Sequence, residues 1–408
     1  MQDKPETPAA QPLALTLLIV FIGLNLRPFL AAPGPILPRI AEDTGFGFGA
    51  LSLLTLLPML LMGIGAFATP RLLASAGTRR AVMLGLGLVF LGCALRIFAA
   101  HGSLLILTAT LCGAGVAVVQ STVPGLIKER FAARVAGMTG LYSAMIMTGG
   151  ALGAQSVPFL VERGMPWTTA LGLLAVPVFL VGIAAAKILP QGKASRPTPG
   201  LVADLVGRRR SWVLMAVFGL INGGYSSMIA WLAPYYQAHG WSSSDSGFLI
   251  SVMALCQGLG AILLPLLARK SADRRPWLWL CIALQIVGFL GVASAPLLLP
   301  ILWVALCGVG LAGSFALCLI VALDHLPDPS RAGALAALMQ GGGFILAATP
   351  PFLLAIIEAK SGSFAGGWIM HLTWLGIAAI LVSRFDPKSY PDAMERVTCR
   401  GVRPPFAT

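Results

Sequence analysis

Apolar runs long enough to cross a bilayer succeed one another along this chain, and no water-soluble core can absorb so many of them. About 20 mostly apolar residues suffice for one spanning helix. Runs bounded by charges, Pro/Gly breaks and polar loops number twelve, at 12–37, 48–72, 80–99, 103–127, 134–160, 167–189, 211–237, 246–268, 276–295, 298–323, 332–357 and 365–385. Composition agrees: 57% of the 408 residues are hydrophobic and 11% charged, against about a quarter charged in a soluble domain. The expected fold class is an all-α membrane protein with twelve transmembrane helices. Because only SAPLLLPI separates the ninth run from the tenth, eleven spans is the competing count.

Charge decides between the two counts. The net charge of +13 comes from short basic clusters between runs. Cytoplasmic loops are marked in this way, whereas a nucleic-acid-binding face interleaves its cations with aromatics, so no nucleic-acid partner is expected. With the N-terminus inside, the inner loops hold Arg71, Arg79, Arg80, Lys128, Arg130, Arg134, Lys193, Arg196, Arg208 to Arg210, Arg269, Lys270, Arg274, Arg275 and Arg331, while the outer loops hold only Arg39, Arg163 and Lys360. Losing one span would put the later clusters on the wrong side. Both termini are therefore expected in the cytoplasm. The first eleven residues lack the basic start of a signal peptide, and the run after them is too long for one, so that run is expected to remain as the first span.

The longest linker, PQGKASRPTPGLVADLVGRRR at 190–210, divides the spans six and six. The halves resemble each other. GALSLLTLLPMLLMGIGAFATPR at 49–71 aligns with GFLISVMALCQGLGAILLPLLAR at 247–269, CGAGVA at 112–117 meets CGVGLA at 307–312, and Glu162 matches Glu358. A parallel repeat of six spans is a transporter architecture with its solute site between the halves near the bilayer midplane. The expected organisation is a bundle over 1–189, a cytoplasmic linker over 190–210, and a second bundle with a tail over 211–408.

One charge is out of place in this plan. Arg27 lies about fifteen residues into the first span, roughly 22 Å at 1.5 Å per residue, past the centre of a ~30 Å hydrocarbon core. A charge at that depth costs about 2.5 kcal/mol or more unless it faces a cavity and finds a partner. No Asp or Glu occupies the interior of any run, so the expected partner is an anionic solute. Arg96 lies near the outer end of the third span, where it either snorkels to the interface or shares the cavity with Arg27. Asn25, Gln120, Tyr142, Asn222, Tyr225, Gln257 and Gln340 are uncharged polar groups on spans expected to line the passage, and they complete the candidate solute site. Gln155 and Gln285 are expected to join helices to one another. Trp231, Tyr235 and Tyr236, near the outer end of the seventh span, are expected as interfacial anchors, with an aromatic lid as the alternative, and the Asp324–His325 pair as a solvated loop start. No nucleotide loop, metal cluster or nucleophile–base set is present, so neither catalysis nor a cofactor is expected. The seven cysteines show no zinc or disulfide spacing.

LNLRPFLAAPGPILP in the first span, LTLLPMLLMGIGAF in the second, CALR in the third, VVQSTVPGLIKERF ending the fourth and GMTGLYSAMIMTGGALGA in the fifth resemble the cyanate/2-nitroimidazole transporter branch of the major facilitator superfamily. The arginines of LRP and CALR in that branch map onto Arg27 and Arg96. The superfamily's Gly-x-x-x-Asp-Arg-x-Gly-Arg-Arg loop signature survives in the first half only as PRLLASAGTRR, without its acid, while the second half keeps Asp273 with Arg274 and Arg275. The resemblance implies a single-subunit carrier in a bacterial inner membrane. Its cargo would be a cyanate-like or nitroimidazole-like solute, moved by proton-coupled uptake or facilitated exchange. The rival reading is a proton-coupled exporter of small neutral or cationic drugs.

Overall fold

Proline placement decides where the first span breaks. In the computed structural model, which describes residues 10–131, 135–189 and 201–394, an α-helix over Ala10–Leu24 stops at Leu24. Pro28 has no N–H to offer the Leu24 carbonyl, and its ring would crowd that oxygen. Asn25 and Leu26 instead donate their amides three residues back, to Ile22 and Gly23, and a short helix restarts at Pro28. Pro33 and Pro35 break the ladder again before the last segment, Leu37–Thr44, which carries Pro38 in its first turn. The span at 12–37 is thus a chain of helical pieces, which hydropathy alone does not reveal.

Among the described residues twelve helices are long and apolar enough to span a membrane. We label them α1 (Leu13–Thr44, the broken one), α2 (Phe48–Thr69), α3 (Ser75–Phe98), α4 (Gly102–Ile127), α5 (Gly140–Glu162), α6 (Trp167–Ile188), α7 (Arg209–Gln237), α8 (Ser243–Ala268), α9 (Arg275–Ser294), α10 (Pro300–Asp324), α11 (Arg331–Ser361) and α12 (Ala365–Val382). They match the twelve expected runs one for one. The ninth and tenth are separate helices, so the eleven-span count is set aside. Gly77, with φ +75°, interrupts the helical backbone near the start of α3, a conformation other residues adopt only with strain. The N-terminal residues 1–9, Arg134, linker residues 190–200 with Lys193 and Arg196, and the tail from 395 with Cys399 lie outside the described residues.

The two ends of the molecule are held differently. At the end carrying the basic loops, the ion pairs among the described residues join groups within one half or tie the linker helix Leu201–Val206 to the second half. Arg274 pairs with Asp324 at 3.2 Å and Arg275 with Asp273 at 2.8 Å, while Asp204 of the linker helix pairs with Arg331 at 3.2 Å. The acid-less first-half loop uses Arg79 differently: it donates to the Ala186 carbonyl at the end of α6. At the opposite end the contacts cross between halves. Glu162 of α5 accepts the Ser244 amide of α8 at 2.7 Å, and the Ser251 hydroxyl donates to the Ala151 carbonyl at 2.9 Å. Phe48 of α2 meets Trp231 edge-on at 5.3 Å and Phe364 at 6.0 Å.

That aromatic plug revises one expectation. Trp231, Tyr235 and Tyr236 are buried rather than anchored at an interface, because they fill the closed end between the halves. His325 is also buried, 3% exposed, with Nδ1 donating to the Val321 carbonyl and its ring 3.8 Å from that of Tyr390. It is not a solvated loop start: the helix at Tyr390–Met394 packs over it.

Candidate functional site

Between the halves lies a cavity of about 380 Å3, in the range that small organic ligands occupy. Its walls run from the middle of the spans to Leu73, Pro124, Leu319 and Gly333 near the basic ends of α2, α4, α10 and α11. With the opposite end plugged, the cavity opens toward the basic face.

Seven of the nine expected site residues line it: Arg27, Gln120, Tyr142, Asn222, Tyr225, Gln257 and Gln340. Arg27 sits at the break of α1, where the proline-interrupted backbone turns its side chain off the helix surface. It is 4% exposed, its Nη1 lies 4.0 Å from the Met59 sulfur, and its guanidinium carbon is 5.2 Å from the Tyr225 ring centre. The ion pairs seen among the described residues lie in loops or at span ends, and none involves Arg27. Arg27 Nε, Gln120 Oε1, Tyr142 Oη and Gln257 Oε1 are buried without a protein hydrogen-bond partner. Thr69 Oγ1 is a fifth; each such group costs about 1–3 kcal/mol, so five on one cavity mark a place built to bond something other than protein. Asn222 differs, because its Nδ2 donates to the Phe218 carbonyl at 2.8 Å and only part of its amide remains free.

Asn25 and Arg96 are not brought to the cavity. Asn25 turns back along its own helix and donates to the Phe21 carbonyl at 2.8 Å. Arg96 is fully buried, with Nη1 donating to the Phe29 carbonyl at 3.0 Å and Nε to the Thr108 hydroxyl at 3.4 Å. The reason lies in α1. Pro33 has no N–H for the Phe29 carbonyl four residues before it, and Arg96 supplies the missing donor from α3. It neither snorkels outward nor shares the cavity; it braces the second piece of α1, behind Arg27.

Glycines of α5 complete the mount. A Cβ on Gly149 would lie 2.1 Å from the Leu24 oxygen, and one on Gly153 would lie 2.6 Å from the Pro28 Cα. The backbone of α1 therefore touches that of α5 on both sides of the break, and Gly150 packs beside the Arg27 Cβ.

The apolar wall of the cavity was not foreseen from the residues. Phe315 and Phe344 line it together with Met62, Ile146, Met147 and Leu311, and Phe218 packs behind both phenyl rings at 5.3 Å. Apolar residues in an apolar span carry no signal of their own. The internal repeat does carry one, since CGAGVAVVQ ends on Gln120 where CGVGLAGSF ends on Phe315. Among the described residues no group of His, Cys, Asp or Glu is placed to hold a metal ion.

Comparison with known proteins bears on the whole chain. A model described as Major Facilitator Superfamily matches residues 13–349 and 239–397. The cyanate transport protein CynX of Escherichia coli K12 is 39% identical over 378 residues, covering 92% of this chain and 98% of that protein. The 2-nitroimidazole transporter of the same organism is 26% identical, covering 90% of this chain and 93% of that protein. Among solved structures, an inward-facing, unoccupied bacterial homologue of the human lysosomal transporter Spinster superposes with TM-score 0.76 at 15% identity, over 97% of this chain and 100% of that one. A D-xylose–proton symporter superposes with TM-score 0.73 at 14% identity, over 92% and 98%. At such identities the superpositions speak for the fold alone.

Proposed function

This chain belongs to the major facilitator superfamily, and from that membership we propose that it carries a small anionic solute by alternating access, with Arg27 as the anion's anchor. One observation carries the reading: a guanidinium in the middle of the spans, at a break in α1, faces the inter-half cavity and pairs with no carboxylate among the described residues. Arginine cannot shed its charge, and a charge this deep needs a counter-ion. The solute is the counter-ion. The planar fork of the guanidinium suits a planar anion, while Gln120, Tyr142 and Gln257 offer further bonds around it. Cyanate and nitroimidazoles are the first solutes to try, given what the relatives are named for.

The two halves, 1–189 and 211–408, act as the rocking bodies, joined by the linker. On this reading the basic face and both termini lie in the cytoplasm of a bacterial cell, and the described conformation is the inward-open one. Closing the basic end while parting Phe48 from Trp231 and Glu162 from Ser244 exposes the same cavity on the other side. One chain contains both bodies and the whole site, so a monomer suffices.

Counterflow of labelled cyanate in proteoliposomes tests the reading. Wild type should exchange the anion, and Arg27→Ala should lose nearly all exchange. If Arg27→Ala exchanges anions as wild type does, or moves only neutral and cationic drugs as wild type also does, the rival exporter reading takes its place.

A further inference from the structure

We infer that the solute of this site is a flat organic anion, a carboxylate on an aromatic or heteroaromatic body, rather than a bare inorganic anion. The inference rests on Arg27 being the anion anchor, and it concerns the rest of the cavity. A three-atom anion fills roughly two waters' worth of space, about 60 Å3 at ~30 Å3 per water, several-fold less than the cavity of about 380 Å3. A site shaped for so small an ion closes around it, because an ion leaving water must regain bonds on every side.

The walls point the same way as the volume. Among the described residues Arg27 is the one cation lining the cavity, and Met62, Met147, Leu311, Phe315 and Phe344 present apolar surface. These apolar groups offer an ion no bond, whereas a ring buried against them gains from each contact. The two-fold repeat sharpens the point. Gln120 in the first half and Phe315 in the second occupy equivalent positions on α4 and α10, so one wall offers an amide and its symmetry counterpart a phenyl ring. Phe315 and Phe344 are braced by Phe218, with ring centres 5.3 Å from it, and such a cluster receives another ring edge-on or offset. Tyr225 lies against the guanidinium of Arg27 at 5.2 Å. The lining thus combines one guanidinium with phenyl rings, the pair of groups an aryl carboxylate matches.

Thermal-shift titrations of the purified full chain in detergent test this with three probes: benzoate, cyanate, and benzamide, the uncharged near-isostere of benzoate. Benzoate should stabilise wild type at concentrations at least about tenfold below those cyanate requires, and benzamide should shift it little. Phe315→Ala should weaken benzoate about tenfold, the scale of one aromatic pair with its buried area, and leave cyanate unchanged. Cyanate binding tighter than benzoate, with Phe315→Ala affecting neither, overturns the inference while leaving the Arg27 site intact. Benzoate binding equally to wild type and Arg27→Gln overturns the anion anchor itself, as does benzamide matching benzoate. If Arg27→Gln does not fold, benzoate counterflow decides on the aromatic wall: Phe315→Ala should exchange benzoate more weakly than wild type, and equal exchange overturns the inference.

Discussion

Two arginines buried at the level of the spans have opposite duties. Arg27 keeps its fork free for the cavity, and Arg96 uses its fork on the carbonyl that Pro33 leaves unsatisfied. The difference separates their variants. Arg27→Lys should fold normally, since its fork meets only the Met59 sulfur and the Tyr225 ring, but should bind anions at least about tenfold more weakly because an ammonium offers no bidentate geometry. Arg96→Leu should lower unfolding stability by about 1.5–3 kcal/mol, the usual value of a charged hydrogen bond. Denaturant unfolding monitored by tryptophan fluorescence reads that loss, and Arg96→Lys should restore little of it. His325 adds a pH effect. Burial pushes its pKa down to about 4, the Val321 bond opposing and Arg210 adding to the shift. The unfolded imidazole titrates near ~6.5. The unfolded chain therefore binds the extra proton between those values, and stability, full above ~6.5, falls as the pH drops toward 4. His325→Gln should flatten that acid slope in a pH series of melting curves.

At the scale of elements, the break in α1 and the glycines of α5 form one device. The helix can be broken there only because Gly149 and Gly153 let the two backbones meet, and the meeting holds the break in place. Gly149→Ala puts a methyl group where the Leu24 oxygen already sits. It should cost about 1–3 kcal/mol by overpacking and reduce anion binding in parallel. Gly140→Ala, in the same helix but with open space at its Cβ, should be neutral or gain up to about 1 kcal/mol of helix propensity. Paired thermal unfolding of the two variants separates a cradle from generic glycine flexibility. Of this device, the glycines and prolines were legible in the sequence, as was Arg27. The break was not, because hydropathy averages over a window and the pieces of α1 are all apolar.

For the whole molecule, the asymmetry between its ends sets the conformation. Ion pairs on the basic face tie the second half to itself and to the linker helix, whereas the other face is closed by bonds between halves. Glu162 is the exposed member of that closure. Its carboxylate caps α8 from across the interface, and losing a cap costs about 1 kcal/mol, enough to shift a balanced two-state equilibrium about fivefold. Glu162→Ala should therefore raise the fraction of molecules open on that face. The distance distribution between spin labels at Arg163 and Ser361, exposed at the outer ends of α5 and α11, should gain a longer component.

Whatever adds up along one dimension could be read from the residues alone. Hydropathy sums along a window gave twelve spans, charge counts per loop gave an expected orientation, and self-alignment gave a six-span repeat. Which polar group faces what depends on the rotation of each helix about its axis, and a helix apolar all round leaves that angle unwritten. So Gln120 and Gln257 reached the cavity, while Gln155 joined the contact between halves and Gln285 bonded Ser314 inside the second half. Those angles are set in three dimensions by backbone contacts: glycine against proline at α1 and α5, and a carbonyl without its amide drawing Arg96 inward.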